Sequence, residues 1–65
     1  MLKEEIEKTL KELENCKYVN FHFNDGDMYS CPPRDIIVYL DEGYIDALNQ
    51  QITFQDLSYI DSYDQ

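Results

Sequence analysis

The chain has 65 residues, enough for one small domain with a single core. A chain of this length buries only about 60% of its unfolded surface, so we expect no enclosed substrate cavity. Its 14 acidic and 5 basic residues give a net charge of −9 at pH 7. Such a charge repels nucleic acid and anionic membranes and attracts basic protein surfaces. Direct binding of DNA or RNA is therefore not expected, because that binding depends on neutralising phosphates.

The negative charge is concentrated in the second half of the chain. Residues 1–34 contain all 5 basic residues and 7 acidic ones, which is a net charge of −2. Residues 35–65 contain 7 acidic residues and no basic one, which is a net charge of −7. Self-repulsion among these carboxylates costs stability, so we expect this half to have a role that offsets the cost.

An N-terminal helix is predicted over residues 2–15. Apolar side chains recur there at helical spacing and form one narrow stripe: Leu2, Ile6, Leu10 and Leu13. The other faces carry Glu and Lys, including two i,i+4 pairs in the favourable orientation, Glu4–Lys8 and Glu7–Lys11. A coiled-coil seam would need about three or four heptads, which is longer than this stripe. We therefore expect the helix to pack on a sheet.

A β-hairpin is predicted over residues 18–31. Apolar residues alternate with polar ones before an Asn-Asp-Gly turn, and Gly26 can take the positive φ that such turns require. A three-residue loop pairs Phe21 with Tyr29, whereas a two-residue loop pairs Phe21 with Ser30. We predict the three-residue loop, because it places large side chains opposite each other on one face.

Residues 34–42 carry two competing patterns. Ile36, Ile37 and Leu40 fit a helical stripe, with proline before it and glycine after it. The run Ile-Ile-Val-Tyr in the same segment favours a strand. Helix and strand both remain open for this segment.

The last third of the chain predicts short strands. Residues 44–48 and 52–54 alternate and are separated by a turn at 49–51, while 55–57 predicts a 3₁₀ turn before a closing strand at 58–63. A short strand, a 3₁₀ turn and a closing strand recur in that order at the end of SH3-like and Sm-like barrels. The predicted fold is α+β: an N-terminal amphipathic helix packed on a small antiparallel SH3/Sm-like β-barrel or curled sheet, as one domain.

A set of apolar and turn-forming residues within 18–61 carries a resemblance to a known family: Val19, Phe21, Phe23, Asn24, Asp25, Gly26, Asp35, Ile36, Ile52, Phe54, Gln55, Asp56, Leu57 and Ile60. The pattern resembles the Rof family, small acidic inhibitors of the transcription terminator Rho. The resemblance implies a helix followed by an Sm-like barrel, and an inhibitor of a nucleic-acid-binding protein. Here the segment between Asp35 and Ile52 is shorter than in that family, and Pro32-Pro33 has no counterpart. No individual contact residue is transferred.

No catalytic, cofactor or metal-binding motif occurs in the sequence. His22 is the only histidine, and strand alternation turns it away from Phe21, so we interpret it as a surface or packing residue. Cys16 and Cys31 lack Cys-x-x-Cys spacing and are expected to be reduced thiols on the apolar side. Residues 24–27 lack the ligand spacing of an EF-hand and are explained by turn chemistry. The prediction is a protein that is not an enzyme and uses no cofactor or metal.

The candidate partner-binding residues are the carboxylates and tyrosines of the second half: Asp41, Glu42, Tyr44, Asp46, Asp56, Tyr59, Asp61, Tyr63 and Asp64. Carboxylates spaced along a small barrel can imitate the phosphates of a nucleic acid. Tyrosines beside them would supply rigid contact area at low entropic cost. The alternative interpretation is a solvated acidic surface with some tyrosines in the core.

These patterns predict a small, acidic, non-enzymatic inhibitor or modulator that occupies the nucleic-acid groove of a basic nucleic-acid-binding protein. Such proteins are common in phage and mobile elements, where they counter host factors. The alternative is a structural or oligomeric subunit, such as a homodimer, that assembles through a barrel edge or helix face. Since no signal peptide and no apolar run of about 20 residues occur, we expect a cytoplasmic protein that does not contact membranes.

Overall fold

The computed structural model describes residues 1–63, which form one helix and two antiparallel sheets. The elements in chain order are α1 Lys3–Glu12, β1 Tyr18–Phe23, β2 Met28–Cys31, β3 Ile36–Tyr39, β4 Tyr44–Ala47, β5 Gln50–Thr53 and β6 Leu57–Tyr63. The first sheet has the strand order β2-β1-β6, and the second has the order β3-β4-β5. The α+β class is therefore confirmed. Within residues 1–63 the strands form these separate sheets and no continuous closed barrel.

Helix α1 is shorter than the predicted span of 2–15. The N–H of Leu13 donates to both Thr9 O (3.1 Å) and Leu10 O (3.2 Å), which tightens the last turn and ends the helix after Glu12. Ile6 is fully buried and Leu10 and Leu13 are half-buried, as the stripe predicts, but Leu2 is 66% exposed. The helix thus packs on the sheets through its middle and C-terminal turns.

The hairpin has the predicted three-residue loop. Phe21 pairs with Tyr29, and the N–H of Gly26, whose φ is +96°, donates to Phe23 O at 3.1 Å. The N–H of Phe23 donates in turn to Asp27 O at 2.8 Å, which closes the ladder. This register puts every odd-numbered side chain of β1 on the inner face of the first sheet.

The ambiguous segment 34–42 contains both kinds of structure in succession. A 3₁₀ turn covers Pro33–Asp35, and strand β3 follows it at once. Pro32 precedes the turn with extended backbone, and Asp35 N–H donates to Pro32 O at 3.1 Å. Pairing with β4 stabilises the extended conformation of the Ile-Ile-Val-Tyr run, so the helical stripe ending at Leu40 does not form.

The turn predicted at 49–51 is displaced toward the N-terminus. Strands β4 and β5 are joined by Leu48 and Asn49, both with positive φ (50° and 68°), while Gln50 already pairs with Ala47. Positive φ at both central residues is the type I′ hairpin geometry, which Asn accepts readily and Leu does not. The 3₁₀ turn that follows covers Phe54–Asp56, one residue earlier than predicted.

One core lies between the helix and the inner faces of both sheets. Its buried residues are Ile6, Val19, Phe21, Cys31, Ile45, Ala47, Ile52, Phe54, Leu57 and Ile60. The amino group of Met1 donates to Phe54 O (2.9 Å) and Leu57 O (3.1 Å), which ties the start of α1 to the second 3₁₀ turn. Within residues 1–63, no helix combines the length and apolar character needed to cross a membrane. Because the two sheets share this core, their outer faces point in different directions.

Candidate functional site

The predicted partner-binding residues are divided between separate regions of the surface. Asp41, Glu42, Tyr44 and Asp46 lie on the β3–β4 turn and the outer face of the second sheet. Tyr59, Asp61 and Tyr63 lie on β6 in the first sheet, and Asp56 lies in the second 3₁₀ turn. Asp64 lies outside the described residues. The structure therefore brings the first group together and separates it from the second.

We call the first group, with Tyr39 added, the acidic surface: Tyr39, Asp41, Glu42, Tyr44 and Asp46. It is built on the cross-strand pair Tyr39–Tyr44. The turn between the strands is closed by Glu42 N–H and Gly43 N–H, which donate to Tyr39 O at 3.2 and 2.9 Å. Gly43 has a φ of +79°, a conformation that an L-residue rarely adopts, so this turn needs glycine.

The rings of Tyr39 and Tyr44 stack at the centre of the acidic surface. Their centroids are 4.7 Å apart and their planes are inclined by 22°. Offset stacking of two aromatic rings is more favourable than their burial alone would give, so the pair forms a rigid platform. Tyr39 is not among the partner-binding residues predicted from the sequence, and the β3–β4 register explains its place beside Tyr44.

The carboxylates of the acidic surface act on Tyr44. The pKa of Tyr44 is raised, first by partial burial of its hydroxyl and then by the negative charge of Glu42, with smaller contributions from Tyr39 and Asp46. The Tyr44 hydroxyl also donates a hydrogen bond to the Glu42 carboxylate, which favours the protonated phenol. The negative potential at this surface thus comes from several side chains acting on one point.

Little positive charge offsets this potential. Within residues 1–63, the ion pair at the acidic surface joins Lys3 Nζ to Asp41 Oδ1 at 3.8 Å. The Asp41 side chain is 98% exposed and that of Lys3 is more than half exposed, so water and salt screen the pair. The acidic surface is therefore available to a cationic partner at little electrostatic cost.

The second group belongs to a different surface on the first sheet. We call it the aromatic surface: Tyr18, His22, Tyr59, Asp61 and Tyr63. The register of β1 with β6 places His22 opposite Tyr59, and their rings stack with centroids 4.0 Å apart and planes inclined by 9°. His22 Nε2 lies 3.0 Å from Asp61 Oδ1. The side of β1 that faces away from Phe21 thus holds His22, as the strand alternation predicts.

Asp61 is electrostatically tied to this histidine. The hydrogen bond from His22 lowers the pKa of Asp61, and the Asn20 side chain adds a smaller lowering effect, against the opposing effect of partial burial. Asn20 also accepts a hydrogen bond from Ser30 Oγ at 2.6 Å, which continues the polar row onto β2. The Asp61 carboxylate is therefore engaged by side chains of its own sheet.

An open groove of about 570 Å³ runs between the hairpin tip and strand β5. We call it the seam groove, since it lies between β2 and β5, which are one edge strand of each sheet. Its carboxylates are those of Asp25, Asp27 and Asp56. Sequence reasoning included Asp56 among the partner-binding residues but assigned Asp25 and Asp27 only to turn chemistry. In the folded chain the hairpin tip approaches the Phe54–Asp56 turn, where Asn24 N–H donates to Asp56 O at 2.9 Å. This approach brings the three carboxylates to the same groove, and it is not visible in the sequence.

A comparison with protein-family models, with curated proteins and with solved structures finds no match to this chain.

Proposed function

We propose that this protein is a small, acidic, non-enzymatic inhibitor that binds a basic nucleic-acid-binding protein and occupies its nucleic-acid groove through the acidic surface. One observation carries the proposal. The stacked rings of Tyr39 and Tyr44 are flanked by the carboxylates of Asp41, Glu42 and Asp46, and the cation at this surface is a weakly held, exposed Lys3. Anionic groups around a flat aromatic platform present to a partner the same two chemistries as phosphates around stacked bases.

A nucleic-acid groove supplies the complementary groups. Lys and Arg side chains that neutralise phosphates bind carboxylates by the same charge-assisted hydrogen bonds, and Arg binds them in a bidentate way. Arg also stacks on aromatic faces, for which Tyr39 and Tyr44 are suitable. Tyrosine loses little conformational entropy on binding, so the platform provides contact area that is already ordered.

The strand arrangement supports a more specific fold assignment. The 3₁₀ turn Pro33–Asp35 separates β2 from β3, so one bent stretch of chain contributes a strand to each sheet. The second 3₁₀ turn, Phe54–Asp56, then leads into β6, which pairs with β1. A short strand, a 3₁₀ turn and a closing strand also follow one another at the end of SH3-like and Sm-like barrels. This succession supports our proposal of that fold, with an open seam between β2 and β5. The proposed fold is consistent with two kinds of protein. One is a cytoplasmic inhibitor of a transcription terminator, as in the Rof family, and the other is a counter-host factor of phage or mobile elements.

The proposal is tested by capture followed by competition. The protein is immobilised, basic proteins bound from a host lysate are identified by mass spectrometry, and the captured partner is purified. Its affinity for a labelled oligonucleotide is then measured by fluorescence anisotropy at increasing concentrations of this protein. Displacement that is competitive with the oligonucleotide supports the proposal. A partner that binds the protein and the oligonucleotide at the same time contradicts it.

A second candidate function, an oligomeric subunit, is favoured by two exposed apolar side chains. Ile37 is 55% exposed and Leu48 is 52% exposed, and both border a shallow depression at one end of the second sheet. Ile37 lies on β3, an edge strand, so self-association there would cover apolar surface and unpaired backbone together. Sedimentation velocity across a range of protein concentrations, at low and at high salt, tests this second function. Assembly through apolar contacts persists at high salt, whereas acidic–basic binding does not.

A further inference from the structure

The seam groove is bordered by two strand edges that pair with no other strand of residues 1–63. Strand β2 pairs with β1 alone, and β5 pairs with β4 alone. An edge strand presents backbone N–H and C=O groups that another extended chain can use. Both edges therefore offer hydrogen-bonding groups to an occupant of the same groove.

The hydrogen-bonding phase of β5 identifies which of its groups point away from β4. Phe54 N–H donates to Gly43 O at 3.0 Å, and in an antiparallel ladder the residues that bond to the partner strand alternate with those that do not. Ile52 and Gln50 are in phase with Phe54, so Gln51 and Thr53 direct their N–H and C=O groups to the free edge. Gln51 also lines the seam groove, so its backbone is positioned to bind an occupant.

The floor and the rim of the groove have different chemistry. Phe23 and Tyr29, both half-buried, and the buried Ile52 provide apolar surface. The exposed carboxylates of Asp25 and Asp27 stand on the hairpin side. Asp56 completes the rim, where its carboxylate accepts a hydrogen bond from Thr53 Oγ1 at 2.7 Å, and no residue that lines the groove is basic.

We infer that the seam groove binds an extended segment of a partner protein, with Lys or Arg alternating with apolar residues, as an additional strand on the free edge of β5. Side chains of a strand alternate between its two faces, so apolar residues would contact the floor while basic residues reach the rim carboxylates. This site shares no residue with the acidic surface. Its test therefore does not depend on the proposed function.

A short fluorescein-labelled peptide of alternating Val and Lys is the probe, and its binding to the whole protein is measured by fluorescence anisotropy at low salt. We expect saturable binding. A peptide of alternating Val and Glu should not bind, because the charged groups of the residues that line the groove are carboxylates. A Val/Lys peptide that is N-methylated at alternate residues keeps its charge but loses backbone donors, and it should bind about tenfold more weakly.

Two substitutions at one position separate backbone pairing from charge. Gln51→Pro removes the N–H that points to the groove and costs no hydrogen bond within the second sheet, since that N–H does not bond to β4. Gln51→Ala removes the same side chain and keeps the N–H. We expect Gln51→Pro to raise the Kd of the Val/Lys peptide about tenfold. Gln51→Ala should change this Kd by less than about twofold. Circular dichroism checks that both variants are folded.

Charge is tested by the triple change Asp25→Asn, Asp27→Asn and Asp56→Asn, which should abolish binding of the Val/Lys peptide at low salt. If Gln51→Pro fails to fold, the N-methylated peptide on the unaltered protein still tests backbone pairing. Equal binding of the methylated and unmethylated peptides would overturn strand addition and leave only a charge contact. Absence of any Val/Lys binding, or concentration-dependent self-association that occupies the groove instead, would also overturn it.

Discussion

His22 and Asp61, which are 39 residues apart in the chain, are joined across β1 and β6 with Nε2 and Oδ1 3.0 Å apart. The hydrogen bond from the imidazole is the main reason that the pKa of Asp61 is lowered. The pair links the closing strand β6 to β1 through side chains, in addition to the backbone pairing of the two strands. It also gives the fold a dependence on pH that can be measured.

The first prediction concerns the pH dependence of stability. A carboxyl group whose pKa is lower in the folded state than its ordinary value of 3.8 stabilises the fold above that value. This stabilisation is lost as the pH falls from 3.8 through the folded pKa. Asp61→Asn should therefore lower stability near neutral pH by less than about 1 kcal/mol, since the Asp61 side chain is 51% exposed. It should have little effect at pH well below 3.8.

Urea denaturation of the parent and of Asp61→Asn across this pH range provides the measurement. The His22→Phe background is the control, because the main partner of Asp61 is absent there and the effect of Asp61→Asn should shrink. A stability difference between parent and Asp61→Asn that stays constant down to the lowest pH would contradict the assignment.

The second prediction concerns the helix. Ile6 has no exposed surface and lies in the core with Val19 and Phe21, so Ile6→Ala should cost about 2–5 kcal/mol. Leu10 is only half-buried, and its truncation should cost less than that of Ile6. Leu2→Ala is the matched control, expected to change stability by less than about 0.5 kcal/mol because Leu2 is largely exposed. Equal effects of Ile6→Ala and Leu2→Ala in chemical denaturation would show that the helix does not pack as described.

The third prediction concerns the β4–β5 turn. Leu48 has a φ of 50°, which costs an L-residue other than Asn, Asp or Gly about 1–2 kcal/mol. Leu48→Asn should therefore raise the free energy of unfolding by about 1 kcal/mol, seen as a higher Tm. Ile37→Asn is the control, since Ile37 is equally exposed but lies in a regular strand, where Asn is unfavourable. A lower Tm for Leu48→Asn would mean that the Leu48 side chain contributes more than its backbone strain costs.

The fourth prediction concerns cysteine reactivity. Burial, with a smaller effect of Asp35, raises the pKa of Cys31 to about 11, so almost no thiolate forms near neutral pH. Cys16 is only half-buried, although its Sγ–H donates to Tyr18 O at 3.3 Å. Iodoacetamide should therefore alkylate Cys16 well before Cys31 in the folded protein, and both at similar rates in urea. Peptide mass spectrometry measures the order, and faster reaction of Cys31 would contradict its burial.

Local chemistry made the hairpin predictable in detail. The turn contains a glycine that tolerates positive φ, and the large side chains of the two strands lie on one face. Together these two features select the register in which Phe21 pairs with Tyr29. The β4–β5 turn was misplaced for the opposite reason, because Leu48 is a poor turn residue and takes positive φ only under the constraint of the two strands. Segment 34–42 required knowledge of the partner strand β4, which no local pattern contains.

The candidate site was predictable in composition but not in layout. Asp46 and Asp61 both face outward from a strand, which alternation suggests, but they belong to different sheets. Strand pairing decides this, because β6 returns to pair with β1 instead of continuing the second sheet. The same pairing gives Asp61 its partner His22 and leaves Asp46 with Tyr44 and Glu42.

The fifth prediction tests the central claim, that the acidic surface is the part of the molecule that enters the partner's nucleic-acid groove. Asp41→Asn, Glu42→Gln and Asp46→Asn are combined in one variant, which keeps shape and removes charge. The matched control carries Glu4→Gln, Glu7→Gln and Glu12→Gln on the exposed side of α1, which removes the same number of negative charges. The acidic-surface variant should be as stable as the parent or slightly more so, because self-repulsion falls. The helix variant loses the i,i+4 pairs of Glu4 and Glu7 with Lys8 and Lys11, so circular dichroism checks that it is folded.

The deciding measurement is the concentration of each variant that displaces a labelled oligonucleotide from the captured partner, determined by fluorescence anisotropy at low and high salt. We predict that the displacing concentration of the acidic-surface variant is at least about tenfold higher than that of the parent and that it changes less with salt. The displacing concentration of the helix variant should stay within about twofold of the parent's. Equal displacement by the acidic-surface variant and the parent at low salt, or equal weakening of both variants, would contradict the account.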